Sequence, residues 1–577
     1  MIEKIEKILK SVINEDIDMG VSASERFGFG HYSSNVAFKL AQMQKRSPLE
    51  VANEIVEKLS GPSAGSTSSP QASSGSIFIK IEAAVPGFIN FWLKPEIFQK
   101  ELAVIIKEKN KYGKNNNLKG QKILVDYTDP NPFKEFHIGH LMSNAIGESL
   151  CRIFEWNGAK VVRVCYQGDV GLHVAKTIWG ILEDLDNFPK DSAELSEKIA
   201  FLGKSYVLGS QRYEDNKCAA EEIKEINKKV FDKSDKEINH LYEKGKKWSL
   251  EHFDEVYEKL GTKFDHFVLE SLVISDAEKI VREFLERGVF EESNGAVIFP
   301  GEKYGLHTRV FISSQGLPTY ETKDIGLAKK KMGLEKDLTS SLIVTANEQN
   351  AYFQVVFKAL EFIFPEYAKI SKHIGHGMLR FASGKMSSRA GNVITAESLI
   401  GEVEKLVEDK IREQKLTEKE KKEIKDIVSI GAIKYSILRQ AIGGDIIFDF
   451  DKSISFEGDS GPYLQYAYTR AKSVLEKAKA EKVKPVLKVM PSEVSELETT
   501  LCRFSEIVER SGKEQAPHYI ATYLIELARV FNAYYAKFKI VDTKDEYSPY
   551  KVVLTSAFTQ VMKNGLEILG IRVPERM

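Results

Sequence analysis

At 577 residues with 42% hydrophobic composition, the chain is far longer than one hydrophobic core usually supports, so roughly two to four domains are expected. Its 82 basic and 83 acidic residues leave a formal net charge of −1, which excludes a global pull toward nucleic acid while leaving room for a local basic stripe. The cysteines (Cys151, Cys165, Cys218 and Cys502) stand singly, which argues against a disulfide framework or a structural zinc site, and no metal site is expected. A reducing, cytoplasmic setting suits this cysteine usage. With no run of about 18 apolar residues, and no apolar signal core in "MIEKIEKILK", no membrane partner is expected.

In chain order, residues 1–115 read as an N-terminal α+β domain. It has a helical start, an amphipathic helix in "RSPLEVANEIVEKL" and an alternating, strand-like "SIFIKIEAAVPGFINFWL". Between the last two lies "GPSAGSTSSPQASSGS", residues 61–76, with almost no side chain able to bury area, which predicts a surface loop. From "KILVDYT" onward the pattern becomes strand, helix, strand: "KILVDYT", "HLMSNAIGESLCRIFEWNG", "KVVRVCYQGD". That spacing marks a βαβ unit, so residues 116–400 are expected to form a Rossmann-like parallel-sheet domain. "AVIFPG", "TRVFISS" and "SSLIVTA" supply further strands, and the Lys/Glu-dense stretch of about 185–260 reads as a helical insertion with a solvated face. Beyond residue 400 the strand signals nearly vanish. Leu524, Leu527, Ala528, Phe531 and Tyr535 fall on one helical stripe, so 401–577 is expected to be an all-α bundle. The fold class is therefore multidomain α/β.

The quartet "HIGH" occurs at His137–His140 and again at His373–His376. The first copy follows a buried-strand pattern and opens a helix, with Pro130 and Pro132 keeping the intervening loop out of helical geometry. Backbone N–H groups and the positive end of a helix dipole then meet at the C-terminal edge of a parallel sheet, where phosphates bind. His137 and His140 share a face, Lys134 can reach the same place, and Gly139 lets a flat base approach the backbone. The second copy, in "KHIGHGMLRF", has two glycines within three residues and reads as a strand or turn leading into "SGKMSSRAGN". There Lys385 and Arg389 stand among small hydroxyl residues, a composition suited to closing cations over a polyphosphate.

An HxGH at the first helix of a dinucleotide-type sheet, paired with a KMSKS-like loop about 250 residues on, resembles the class I aminoacyl-tRNA synthetases. "FGHYSSNVA", "DPNPFKEFHIGHLMSN", "FDHFVLES", "LPTYETKDIGLA", "EGDSGPYLQYAYTRAKS" and "LGIRVPERM" resemble arginyl-tRNA synthetases specifically, in family order along essentially the whole chain. The resemblance implies an arginine–tRNA ligase in translation that makes arginyl-adenylate from ATP and L-arginine, with magnesium carried on the substrate phosphates, then esterifies tRNA(Arg). It implies adenylate formation that requires bound tRNA. We also expect a monomer.

By the same resemblance, Lys134, Lys385, Met386, Ser387 and Ser388 hold ATP, His137 and His140 serve the α-phosphate, and Gly139 packs on adenine. Asn131, Glu270, Tyr320, Asp324 and Gln349 form the arginine pocket. A guanidinium suits such a set, because it calls for carboxylates in bidentate reach and an aromatic face; on the residues alone, Tyr320 and Asp324 at i, i+4 are equally an ordinary helix pair. Asn90 is placed at a tRNA D-loop surface, and Tyr463, Tyr466, Tyr535 and Met577 near the anticodon, although Tyr463 and Tyr466, three apart, could equally be a core stripe. The pattern is departed from where Ser388 stands in place of the second signature lysine, giving Lys385, Met386, Ser387, Ser388, Arg389, a loss offset in many arginyl enzymes by a lysine at the place of Lys134. It is departed from again at Asp129, His173 and His31. Three rival readings remain: a class I synthetase for another amino acid, a non-catalytic tRNA-binding paralogue, and a nucleotidyltransferase of small substrates.

Overall fold

A computed structural model describes residues 1–24, 28–60, 77–382 and 395–577. The expected 61–76 surface loop and the signature residues Lys385, Met386, Ser387, Ser388 and Arg389 lie outside the described residues.

The chain forms two compact units. One comprises Met1–Asn115, Leu464–Arg510 and Thr522–Leu566. Its sheet is antiparallel, with β1 (Val21–Ala23), β2 (Tyr32–Ser34), β3 (Phe78–Ala84) and β4 (Phe88–Leu93) in the order β1-β2-β4-β3. Alternate residues of these strands meet the apolar stripe of helices Val36–Gln44 and Pro48–Ser60, burying Leu40, Val51, Ile55, Ile81 and Phe91 together. The C-terminal part of this unit is helical. Leu524, Leu527, Ala528 and Phe531 are buried as their spacing predicts, Phe531 stacks on Phe558 at 3.8 Å between ring centroids, and Tyr535 at the edge of the stripe is 42% exposed.

The other unit comprises Asn116–Tyr463, Ser511–Ala521 and Glu567–Met577. It is built on β5 (Lys122–Tyr127), β6 (Lys160–Gln167) and β7 (His266–Leu269), then β8 (Glu291–Ser293), β9 (Ala296–Phe299) and β10 (Arg309–Ile312), and finally β11 (Ser340–Ala346) and β12 (Ser371–His376). β12-β11-β5-β6-β7 form one all-parallel sheet. β5 is buried along nearly its whole length, as a parallel strand covered on both faces must be. The "AVIFPG" and "TRVFISS" strands do not join it: β9 and β10 pair with β8 in a separate antiparallel sheet, because turns rather than crossover helices connect them. The insertion is helical, with Leu195–Asp215, Lys217–Asp232 and Lys236–Leu260 around their own apolar core. Residues 401–463 cluster with the sheet unit and not with the later helices, since Ile427–Leu438 is buried all round and the Lys434 ammonium donates to the carbonyls of Leu260 (2.6 Å) and Gly570 (2.9 Å). A last short strand pair, β13 (Leu379–Phe381) with β14 (Ile446–Phe448), lies within this segment's reach.

A buried ion pair ties the helix Tyr320–Leu334 to the sheet. Lys331 Nζ stands 2.5 Å from Asp126 Oδ2 of β5, with the two side chains 1% and 2% exposed. Removing one member leaves a buried charge unpaired, so Lys331→Met is expected to destabilise this unit by about 3–5 kcal/mol, and Asp126→Leu with Lys331→Met should recover most of that. Chemical denaturation checks both; a loss under about 1 kcal/mol for the single variant would show the pair to be irrelevant to anchoring the helix.

Candidate active site

The strand order of the parallel sheet reverses between β5 and β11, since β6 and β7 are added on one side of β5 and β11 and β12 on the other, and clefts form at such a switch point outside the carboxyl ends of the strands. The loops leaving β5, β6, β7 and β11 carry Asn131–His137, Gly168–Gly171, Glu270 and Asn347–Gln349 respectively. Residues far apart in sequence are thereby delivered to one edge.

The β5 loop is held in uncommon backbone geometry, with Thr128, Asp129 and Phe133 at φ of 84°, 47° and 68°. Non-glycine residues there cost on the order of 1–3 kcal/mol each and persist only where neighbours fix them. Here Ser143 Oγ accepts from Thr128 N (3.0 Å), Asp129 Oδ1 from Tyr166 N (2.8 Å) and Ser249 Oγ from Phe133 N (3.0 Å). Asp129, the departure from serine, thus fastens the loop to β6.

The helix Ile138–Trp156 begins at once, capped by His137 and His140. Gly139 N donates to His137 Nδ1 (3.1 Å) and His137 N donates to His140 Nδ1 (3.3 Å). With Nδ1 accepting in both rings, the proton of each neutral imidazole sits on Nε2, making each a neutral hydrogen-bond donor. Burial, then the Lys134 charge, holds His137 below the usual histidine range; burial, then His137 and Lys134, lowers His140 further. The rings stack at 3.6 Å. Gly139 has a structural reason besides any base: a Cβ there would lie 3.0 Å from the His137 ring. Lys134 is half-buried, its Nζ 5.6 Å from the Tyr206 ring centroid. Just past the undescribed signature loop, Thr395 bridges to His137 and Ala396 N donates to Phe136 O at 2.8 Å, so the chain rejoins the described fold beside the first HIGH.

The second HIGH is strand β12. His373 Nε2 pairs with Thr345 Oγ1 at 2.8 Å and its ring stacks on Phe353 at 4.4 Å, while His376 is 2% exposed with Nδ1 donating to Gly377 O at 2.7 Å. Its histidines are engaged in packing, and among the described residues no helix N-terminus lies behind them.

Glu270 follows β7 in a buried turn. Its carboxyl lies above the usual range because of burial, opposed by Lys323, whose Nζ stands 3.0 Å from Oε2. Gly168 is needed opposite: a Cβ would stand 2.3 Å from Asn131 Oδ1 and 3.5 Å from Glu270 Oε2, which places Asn131 and Glu270 around one glycine. Asp324 accepts from Tyr352 Oη at 2.5 Å, and burial pushes its carboxyl up to about 7. Tyr320 is 63% exposed on the same helix, and Gln349 is exposed at the β11 edge. Asp169 accepts from Tyr242 Oη (2.7 Å), Ser271 N (2.9 Å) and Ser271 Oγ (2.7 Å), which fixes the turn bearing Glu270. His173 donates through Nε2 to Gly168 O at 2.8 Å, steadying the same loop.

Sequence reading missed three residues here. Lys323 and Tyr352 ion-pair with and hydrogen-bond to the two acids, and Tyr166 buries a phenolic oxygen that has no hydrogen-bond partner among the described residues and feels the charges of Glu270 and Asp324 most. Only Lys323 had a signal, since it sits inside the quoted "LPTYETKDIGLA".

Family models match end to end: the arginyl-tRNA synthetase N-terminal domain at residues 1–93, the catalytic domain of class I tRNA synthetases (R) at 101–450, and the DALR anticodon binding domain at 464–577. An arginine–tRNA ligase of Clostridium perfringens is 32% identical over 553 residues, covering 94% of this chain and 93% of its own. The chain belongs to the class I arginyl-tRNA synthetase family. Another family member, an arginine–tRNA ligase of Clostridium acetobutylicum, is 31% identical with 99% of each chain covered. The arginyl-tRNA synthetase of Thermus thermophilus shares the fold with a TM-score of 0.77 at 23% identity over 100% of both chains. Membership in this family implies ATP, an amino acid and tRNA as substrates.

On the RNA side of the family pattern, Tyr463 and Tyr466 are half-buried while Leu464, Ala467, Tyr468 and Ala471 between and beyond them are buried, so the pair is not the core stripe. Arg470 lies over the Tyr466 ring at 4.7 Å and the Tyr535 ring at 5.6 Å, and donates to Asn532 Oδ1 at 2.7 Å. Met577 is half-buried at the chain end. Asn90 departs from expectation: it is 5% exposed in β4, flanked by Ser33 of β2 and Glu82 of β3 on the face opposite the core residues Ile89 and Phe91. His31, the other departure, accepts from Leu93 N at 2.8 Å through Nδ1, and burial lowers it to about 4.

Proposed function

We propose that the chain ligates L-arginine to tRNA(Arg) in the cytoplasm as a monomer, with residues 1–115 and 464–577 engaging the RNA and 116–463 the chemistry. The observation that carries the arginine reading is a pair of acids, the buried Glu270 and the half-buried Asp324, delivered to the same sheet edge as the His137–His140 helix start. Two carboxylates with the Tyr320 face suit a planar cation with five N–H donors. Asn131 holds the substrate's α-amino end, and Gln349 completes the pocket.

In the first step an arginine carboxylate oxygen attacks the α-phosphorus of ATP, and the bond to the bridging oxygen breaks to release pyrophosphate. Negative charge grows on the α-phosphoryl oxygens and the leaving group. The Nε2–H groups of His137 and His140, the positive end of the helix dipole, and the Lys134 ammonium meet that charge, and Lys385, Met386, Ser387 and Ser388 bind the triphosphate. Magnesium enters on the nucleotide phosphates as part of the substrate. In the second step the 2′-hydroxyl of the terminal ribose attacks the arginyl carbonyl, and AMP leaves. The half-exposed Tyr463, Tyr466 and Tyr535 faces, with Met577, are suited to stacking splayed anticodon bases.

The test is ATP–pyrophosphate exchange with arginine, lysine or glutamate, each with and without total tRNA. Exchange that depends on arginine and on tRNA is the expected result; exchange with lysine or glutamate alone would overturn the reading.

A further inference from the structure

Resting on that reading of the pocket, we propose that Lys323 is a specificity-determining residue: a resident cation that occupies the guanidinium's partners until arginine displaces it. Its Nζ stands 3.0 Å from Glu270 Oε2, with the side chains 7% and 2% exposed, and 4.9 Å from the centroid of the Tyr320 ring. A carboxylate and an aromatic face are the two partners that a cationic side chain would seek there. A buried carboxylate cannot be left unpaired without large cost, so the empty pocket keeps Glu270 neutralised from within.

That arrangement sets the terms of entry. An incoming ammonium, as on lysine or ornithine, exchanges one point charge for another at Glu270 and gains nothing net. A guanidinium brings a fork of donors, and only the fork can take Glu270 and Asp324 together. Asp324 is held in the empty pocket by Tyr352 alone among its hydrogen-bond partners in the described residues. The discrimination therefore comes from what each cation must expel, as well as from what it touches.

Lys323→Met tests this through arginine-dependent ATP–pyrophosphate exchange with tRNA present and with lysine or ornithine as inhibitor. The expected result is inhibition at concentrations lower by about tenfold or more, with arginine KM unchanged or lower, since about 1.4 kcal/mol of exchange cost is removed per factor of ten. Unchanged inhibition with a raised arginine KM would overturn the proposal and leave Lys323 as a mere positioner of Glu270. Lys323→Arg decides the matter should the methionine variant fail to fold. A resident fork should raise arginine KM by about tenfold with little change in kcat, and an unchanged KM counts against the proposal. The wild-type enzyme separates the two levels: no arginine dependence there sinks the pocket reading itself, whereas arginine dependence with unshifted variants sinks only the role of Lys323.

Discussion

Replacing Lys134 by alanine is expected to lower arginine-dependent ATP–pyrophosphate exchange by about 10²–10³-fold, the cost typical of losing one preorganised donor to a developing negative charge. The expectation rests on where the cation stands. Lys134 precedes His137 by one turn, its charge acts on His137, His140 and His173, and its Nζ is 5.6 Å from the Tyr206 ring centroid. An aromatic face leaves that charge available to a triphosphate. The KMSSR sequence has Ser388 where a second lysine usually stands, which leaves Lys134 to supply that missing charge. Because the side chain is half-buried and anchors no core, thermal unfolding of Lys134→Ala should match the wild type. An exchange rate within about threefold of wild type would remove the account of the altered signature.

The legibility of this chain differed by scale. Period and spacing were enough for the βαβ start, the helical insertion and the C-terminal helices, because each depends on local apolar patterning. They were not enough to separate β9 and β10 from the main sheet, since a short apolar run reads alike in either; the decision lies in whether a helix or a turn intervenes. At the site, His137 and His140 were legible because strand, proline and helix start are contiguous. Glu270, Tyr320 and Asp324 came from family likeness, as nothing in their own spacing distinguishes them from surface residues. Tyr166 and Tyr352 were invisible to both routes. Their importance comes from register across β6 and from packing of the helix Asn350–Ile363, which only three dimensions bring to the acids.

Asp324→Asn should raise arginine KM by about 10²-fold or more, since the asparagine keeps the shape but cannot neutralise a buried guanidinium. The wild-type carboxyl adds a pH signature. Burial first, opposed by Tyr352 and Lys331, pushes it up to about 7 in the empty enzyme. Below that value the group is protonated, so arginine must drive off a proton to gain its partner. Apparent affinity should therefore fall as pH drops below 7, by at most about tenfold per unit, while the arginine guanidinium stays charged throughout. Stability runs the other way in the empty protein. A folded pKa raised above the unfolded value of a carboxylate means the folded state holds more protons between about 4 and 7, so this group's contribution declines as pH rises through that window. Arginine reverses it by favouring the ionised form, and the rise in Tm that arginine produces should be larger at pH 8 than at pH 6. In Asp324→Asn both slopes should flatten. Calorimetric titration and thermal unfolding across that range measure them, and an unchanged pH dependence in the variant would assign the titrating group elsewhere, Glu270 being the next carboxyl raised by burial.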